Sequence, residues 1–336
     1  VPESFLKLSH KEQAEVILGA SGVLGRAPVV LEKDLWVCRV LLHLFEMPER
    51  LMMAFKGGTS LSKVSDAIAR FSEDVDVTLD YRGFESGIDP FSATVSKTQL
   101  RKLSDALKVF VSEHSHDVVA PYFERLLAEQ FDRASCRVEV SDDGEQLRIH
   151  YPSVLDTSGG YVGNSVLVEF GGRNITEPSQ VYELRPYVAD VVTELTFPVA
   201  RVDVLSPMRT FWEKATLIHV ECHRGEFRSN VERLSRHWYD LAMLAEHSVG
   251  LQALEDRKLL ADVVKHKKVF FNASYANYNA CLSGQFRLLP EEAVLSALQL
   301  DFERMLRAGM FFGEQPSFAN IVTRLRELEA KINSSN

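Results

Sequence analysis

Between residues 74 and 80 the chain reads Asp-Val-Asp-Val-Thr-Leu-Asp, a strict alternation of polar and apolar side chains. A period of two fits a strand and no helix, because successive strand side chains point to opposite faces. Val75, Val77 and Leu79 share one face, which needs a core to cover it, and Asp74, Asp76, Thr78 and Asp80 share the other. Two neighbouring carboxylates repel each other unless a cation lies between them. Hard divalent cations prefer carboxylate oxygens, and Mg²⁺ commonly takes one or two of them plus substrate phosphates.

The segment upstream fits the same chemistry. Leu51-Met52-Met53-Ala54-Phe55 reads as a short buried strand, followed by Lys56-Gly57-Gly58-Thr59-Ser60. A glycine pair lets the backbone turn tightly and approach a ligand. Thr59 or Ser60 is expected to cap a helix that runs to about Arg70. Free N–H groups at a helix start, with the helix dipole behind them, favour phosphate. Alone, Gly-Gly-Thr-Ser is usually a capped loop and Asp-x-Asp the wet side of an edge strand. The order strand, Gly-Gly, helix, Asp-x-Asp strand is far more specific, and it suits a site that grips a nucleoside triphosphate through Mg²⁺. The segment lacks the Gly-Lys-Ser/Thr of a P-loop and the third glycine of a dinucleotide fingerprint.

Three other charged residues are placed where charge is costly. Glu169 interrupts Val166-Leu167-Val168-Glu169-Phe170-Gly171 and is read as the end of an apolar central strand, tolerable if it faces a cleft, a cation or a partner such as Arg173. Lys214 lies beside the apolar stripe Phe211, Ala215, Ile218 and Cys222 on a helix announced by Ser206 and Pro207. Asp240 sits comparably near Leu241 and Leu244, and a Lys214–Asp240 pair would satisfy both charges. Lys56 precedes the glycines and can contact phosphate or stand in solvent, and Arg70, before the Asp-x-Asp strand, can brace that loop or touch nucleotide. Trp36, Trp212 and Trp238 fall on apolar faces and are read as packing.

Composition narrows the class. A chain of 336 residues with 46% hydrophobic and 25% charged residues is ordinary for a globular protein, and long enough for two domains. No apolar run reaches membrane-spanning length, and the first residues lack a secretory pattern, so a cytoplasmic protein is expected. The four cysteines are scattered without metal or disulfide spacing, and the ten histidines show no His-Glu-x-x-His. The net charge of −9 opposes indiscriminate nucleic-acid binding but permits a local basic face. The best stretch for one is 201–237, with Arg201, Arg209, Lys214, Arg224, Arg228, Arg233 and Arg236 against Asp203, Glu213, Glu221, Glu226 and Glu232, and the excess is slight.

Along the chain, helices are expected within 3–20 (starting near Ser9), 32–46 and 99–132. Strands are expected at 136–140, 147–151 and 165–170, with Asp142-Asp143-Gly144 turning between the first two. Residues 182–200 read as extended and everything after Pro207 as helical. The fold class is thus α+β with a mixed sheet, followed by a mainly helical C-terminal part. The division falls at 1–205 and 206–336, with a ligand expected in the cleft between the parts.

The segments Phe55-Lys56-Gly57-Gly58-Thr59-Ser60-Leu61 and Arg70-Phe71-Ser72-Glu73-Asp74-Val75-Asp76 together resemble the first motif of the AbiEii/AbiGii toxin family. These are nucleotidyltransferases with a polymerase-beta-like fold that include the MenT toxins. Leu31-Glu32-Lys33-Asp34-Leu35-Trp36-Val37 is similar to the family's Glu-Lys-Asp helix start. Arg209-Thr210-Phe211-Trp212-Glu213-Lys214 and His237-Trp238-Tyr239-Asp240-Leu241 are similar to its later Lys and Asp motifs. The similarity spans about residues 28 to 290. It implies transfer of a nucleotide from an NTP, with Asp74 and Asp76 holding Mg²⁺ and Glu169 completing that metal site or accepting the proton of the attacking hydroxyl. Lys56, Gly57, Gly58, Thr59, Ser60, Arg70 and Lys214 would bind the nucleotide, with Asp240 orienting Lys214. It also implies an RNA acceptor, the tRNA 3′ end, and a cognate antitoxin in a toxin–antitoxin or phage-defence pair. A protein hydroxyl as acceptor, or a nucleotide-binding module without transferase activity, are the alternatives.

Overall fold

The alternating segment is the strand Asp74–Asp80, central in a seven-stranded mixed sheet. The computed structural model describes residues 3–84, 86–131, 136–155, 163–224 and 233–334. Among these the strands are β1 Glu3–Ser4, β2 Met53–Lys56, β3 Asp74–Asp80, β4 Arg137–Val140, β5 Gln146–His150, β6 Ser165–Asn174, β7 Ser179–Leu184, β8 Leu195–Thr196 and β9 Ala200–Leu205. The sheet order is β4-β5-β6-β3-β2-β9-β7, with β1 and β8 forming a separate parallel pair. Strands β3 and β6, and β2 and β9, run parallel, whereas β2–β3, β4–β5 and β5–β6 are antiparallel.

The chain divides into two compact units. The first comprises Val1–Val64, Phe71–Gly87 and Arg101–Val204, and the second Ser65–Arg70, Ile88–Leu100 and Leu205–Asn336. In the first, helices α1 His10–Leu24, α2 Pro28–Glu46, α3 Gly57–Lys63, α4 Lys97–Glu113 and α5 Ala120–Ala128 accompany the sheet, with the first residues of α4 belonging to the second unit. The apolar sheet face, Val75, Val77, Leu147, Ile149, Val166 and Val168, is covered by Val37, Val40, Leu41 and Leu44 of α2 and by Phe123 and Leu127 of α5. Each such side chain contributes roughly 1.5–3 kcal/mol on burial. One face is thereby consumed by the core, which leaves the carboxylate face for chemistry.

Local signals set most helix starts. Ser9 caps α1 through a reciprocal box with Glu12, and Gly25 closes it at φ 62°. Pro28 opens α2 four residues before the expected start. The helical spacing expected over 99–132 is realised as α4 and α5, joined by His114–Val119, which winds with the wider π repeat. Helix α3 ends at Lys63, not near Arg70, and Asp66 then takes a left-handed φ of 48°, which an α-helix cannot continue. Neither Thr59 nor Ser60 caps it, since Lys56 holds the cap position. Thr59 Oγ1 donates to the carbonyl of Asp74 at 2.5 Å, which latches α3 onto β3, and Ser60 Oγ donates to the carbonyl of Gly57 at 3.0 Å. Strand β6 runs on through Gly171 and Gly172 to Asn174, so Glu169 lies mid-strand and not at its end.

The second unit holds α6 Pro207–His223, α7 Arg236–Glu246, α8 Ser248–Glu255, α9 Arg257–Phe270, α10 Glu292–Arg307 and α11 Phe318–Ser334. Pro207 begins α6 as expected, but the Ser206 side chain makes no capping bond. Helix α6 packs against α7, α8 and α9. Trp212 and Trp238 are buried, their indole N–H groups donating to the carbonyls of Ala253 and Leu288. Around Asn277 and Arg287 the chain brackets His219 of α6, whose ring meets the Asn277 carbonyl and accepts from the Arg287 N–H. The four cysteines are free, with Cys38, Cys222 and Cys281 buried. No single helix among the described residues is long and apolar enough to cross a membrane.

Candidate active site

Strand register brings four polar residues into one row. Asp76 is the direct partner of Lys56 across the antiparallel β2–β3 pair and of Glu169 across the parallel β3–β6 pair. Glu169 is in turn the partner of Gln146 on β5. Directly paired residues point to the same face, so Lys56, Asp76, Glu169 and Gln146 form a line across four strands, with Asp74 one pleat along β3. Neighbouring strands lie about 4.8 Å apart, which sets the scale between the Asp76 and Glu169 backbones. Asp74, Asp76 and Glu169 are all half-buried, reachable from solvent yet backed by the core. Gln146 Nε2 donates to Glu169 Oε1 at 3.0 Å, and Arg173 pairs with Glu145 at 3.4 Å.

The glycine turn presses against this row. Gly57 has φ 80°, and a Cβ added there would fall 1.9 Å from Asp76 Oδ2. Only a residue without a side chain lets the start of α3 come this close to the carboxylate. Gly58, Thr59 and Ser60 are buried behind it, and both hydroxyls point into the protein. The surface offered at this turn is therefore backbone.

A second charged group lies in the helical unit. Asp240 on α7 is fully buried and accepts a two-point fork from Arg70, Nε to Oδ1 at 2.6 Å and Nη2 to Oδ2 at 2.8 Å. Lys214 Nζ on α6 lies 2.8 Å from Oδ2 of the same carboxylate. Burial raises the Asp240 pKa, but the charges and hydrogen bonds of Arg70 and Lys214 outweigh it and hold the carboxyl well below its usual range. Two cations face one anion, so these three side chains together carry net positive charge. Nearby His237 is held neutral, its pKa pushed well down by burial and then by Lys214 and Arg236. Two other cations of 201–237 are paired locally. Arg209 is buried against Asp262 at 2.7 Å, and Arg224 pairs with Glu221 at 3.0 Å. Arg228, Glu226 and Glu232 lie outside the described residues.

Among the described residues no group of three or more His, Cys, Asp or Glu is gathered to hold an ion by itself. The carboxylates of Asp74 and Asp76 on one face, next to a turn that admits close approach, fit an ion that completes its shell from substrate oxygens.

The family profile of the nucleotidyl transferase AbiEii toxins of type IV toxin–antitoxin systems matches residues 39–324. The chain belongs to this family. Among solved structures, it is similar to MenT4, a nucleotidyltransferase toxin from Mycobacterium tuberculosis H37Rv, at 16% identity and a TM-score of 0.44 over 98% of this chain and 99% of that one. No curated protein matches.

As an AbiEii nucleotidyltransferase toxin, the chain makes two polar contacts that its sequence alone does not disclose. The alternation Gln146, Leu147, Arg148, Ile149, His150 places Gln146 on the polar face of its strand. What the alternation cannot supply is the register that sets it opposite Glu169. Arg70 is a partner of Asp240, a contact 170 residues distant in sequence.

Proposed function

We propose that this AbiEii-family toxin transfers a nucleoside monophosphate from an NTP to an acceptor hydroxyl of RNA, the tRNA 3′ end, with Mg²⁺. The 1–205 part carries the transferase chemistry and 206–336 is a helical domain. The observation that carries the reading is the row of Asp76 and Glu169 in direct register, with Asp74 on the same face and Gly57 against Asp76. Asp74 and Asp76 would hold Mg²⁺, which when bound neutralises the triphosphate and orients its α-phosphorus. The backbone of Gly57 and Gly58, continued by Thr59 and Ser60, lies against the phosphates. Lys56 supplies a cationic contact, and within the helical unit Asp240 keeps Arg70 and Lys214 aligned.

Glu169 accepts the proton of the acceptor hydroxyl, and the Gln146 N–H holds its carboxylate in place. The hydroxyl oxygen bonds to the α-phosphorus as the bond to pyrophosphate breaks. Rate enhancement arises from positioning and charge neutralisation. The test is incubation with each of four α-³²P-labelled NTPs, Mg²⁺, total RNA and total protein. Label is expected in RNase-sensitive material and to vanish with Asp76→Asn. Label confined to an RNase-resistant protein band would replace the RNA acceptor with a protein one, and no label at all would overturn the transferase reading.

A further inference from the structure

Three consecutive charged residues, Glu32, Lys33 and Asp34, are buried in the second turn of α2, each at most 4% exposed. Burying charge is costly unless it is paired and hydrogen-bonded. Each is paired, and with a different segment. The Glu32 carboxylate accepts from Ser153 Oγ at 2.7 Å and from the Val154 N–H at 2.6 Å, beyond the end of β5. Asp34 takes Lys63 Nζ, in the last turn of α3, at 2.5 Å and the Tyr187 N–H at 2.7 Å. Lys33 Nζ donates to Glu73 Oε2 at 2.5 Å and to the Gly163 carbonyl at 3.1 Å.

The two Lys33 partners share one property. Glu73 immediately precedes Asp74 at the start of β3, and Gly163 lies two residues before β6 begins at Ser165. One ammonium group thus ties together the starts of the two parallel strands whose register sets Asp76 beside Glu169. The carboxylates lie close to these starts, Asp74 being the first residue of β3. A hydrophobic pair of equal volume would fill the same space without donating to the Gly163 carbonyl. The geometry of this ion is therefore tuned to strand placement.

We infer that Lys33 is a positioning residue of the transferase site. It fixes the β3–β6 carboxylates through Glu73 and Gly163, while Asp34 fixes the glycine-turn helix through Lys63. This rests on the proposed reaction. The test compares wild type with Lys33→Met/Glu73→Met, which removes both buried charges together and avoids the stranded carboxylate of Lys33→Met alone. Expected is a thermal midpoint near that of wild type, and kcat for nucleotide transfer lowered about 10-fold, as for lost outer partners of a metal site. The Mg²⁺ concentration for half-activity should rise, with KM for NTP within about threefold of wild type. Glu73→Gln, which keeps a hydrogen-bond acceptor for Lys33, should fall between the two and serves if the double variant does not fold. Wild-type kcat and Mg²⁺ dependence in either folded variant would overturn the positioning role alone. Absence of transfer in the wild type, measured in the same assay, would overturn the underlying reaction instead.

Discussion

Asp76 and Glu169 face each other across the parallel pair β3–β6, although 93 positions separate them in the chain. Two acids in direct register are unfavourable for stability, since like charges opposite each other on a sheet repel. On the other side Asp76 meets Lys56, and Glu169 meets Gln146. In the proposed reaction this row is explained by what it binds.

Removing the carboxylates should therefore cost activity and little stability. Asp74→Asn and Asp76→Asn keep the shape of half-buried side chains, and each is expected to lower kcat/KM for nucleotide transfer by about 100-fold or more. Unfolding free energy should change by less than about 1 kcal/mol. Labelled-nucleotide kinetics and thermal denaturation measure the two effects separately.

Gly57→Ala should be damaging in a way that Gly83→Ala is not. At Gly57 the new methyl carbon would overlap the Asp76 carboxylate, and φ 80° strains any L side chain by about 1–3 kcal/mol. At Gly83 nothing lies within 4 Å of the added carbon. Loss of both activity and stability is expected for Gly57→Ala, and a near-wild-type protein for Gly83→Ala.

Asp240 gives the helical unit an acid-sensitive component. Its folded-state pKa lies below the usual Asp value, so its contribution is fully present above the unfolded pKa near 3.9 and fades as pH falls toward the depressed value. Thermal midpoints of wild type should drop on acidification below about pH 4 more steeply than those of Asp240→Asn.

The three-residue charge cluster also predicts a ranking. Asp240→Asn leaves both Arg70 and Lys214 facing a neutral amide and should cost about 3–5 kcal/mol. Lys214→Met leaves the Arg70 fork in place and should cost less. Chemical denaturation of the two variants checks the order.

The strands and faces of this site were legible because period-two alternation is local: Val75, Val77 and Leu79 declare a core side, and the aspartates declare the other. The Gly57 turn was legible for the same reason. The end of α3 was not, because Thr59 satisfies itself on the Asp74 carbonyl, a strand that sequence alone does not place beside it. Lys33 matched a family motif without any visible task, since its partners lie 40 and 130 residues away. The Lys214–Asp240 pair was readable from burial cost on two helices, whereas the Arg70 fork needed tertiary structure. The π-wound stretch 114–119 breaks no hydrophobic period strongly enough to announce itself.

The central claim is that Asp74 and Asp76, beside the Gly57 turn, hold a divalent ion with a triphosphate. A crystal of the protein soaked with Mn²⁺ and a non-hydrolysable NTP tests it through the anomalous signal of manganese. The account predicts a manganese peak on the Asp74 and Asp76 carboxylates with phosphate density beside Gly57 and Gly58. Manganese and nucleotide bound together elsewhere, with these carboxylates bare, would contradict it.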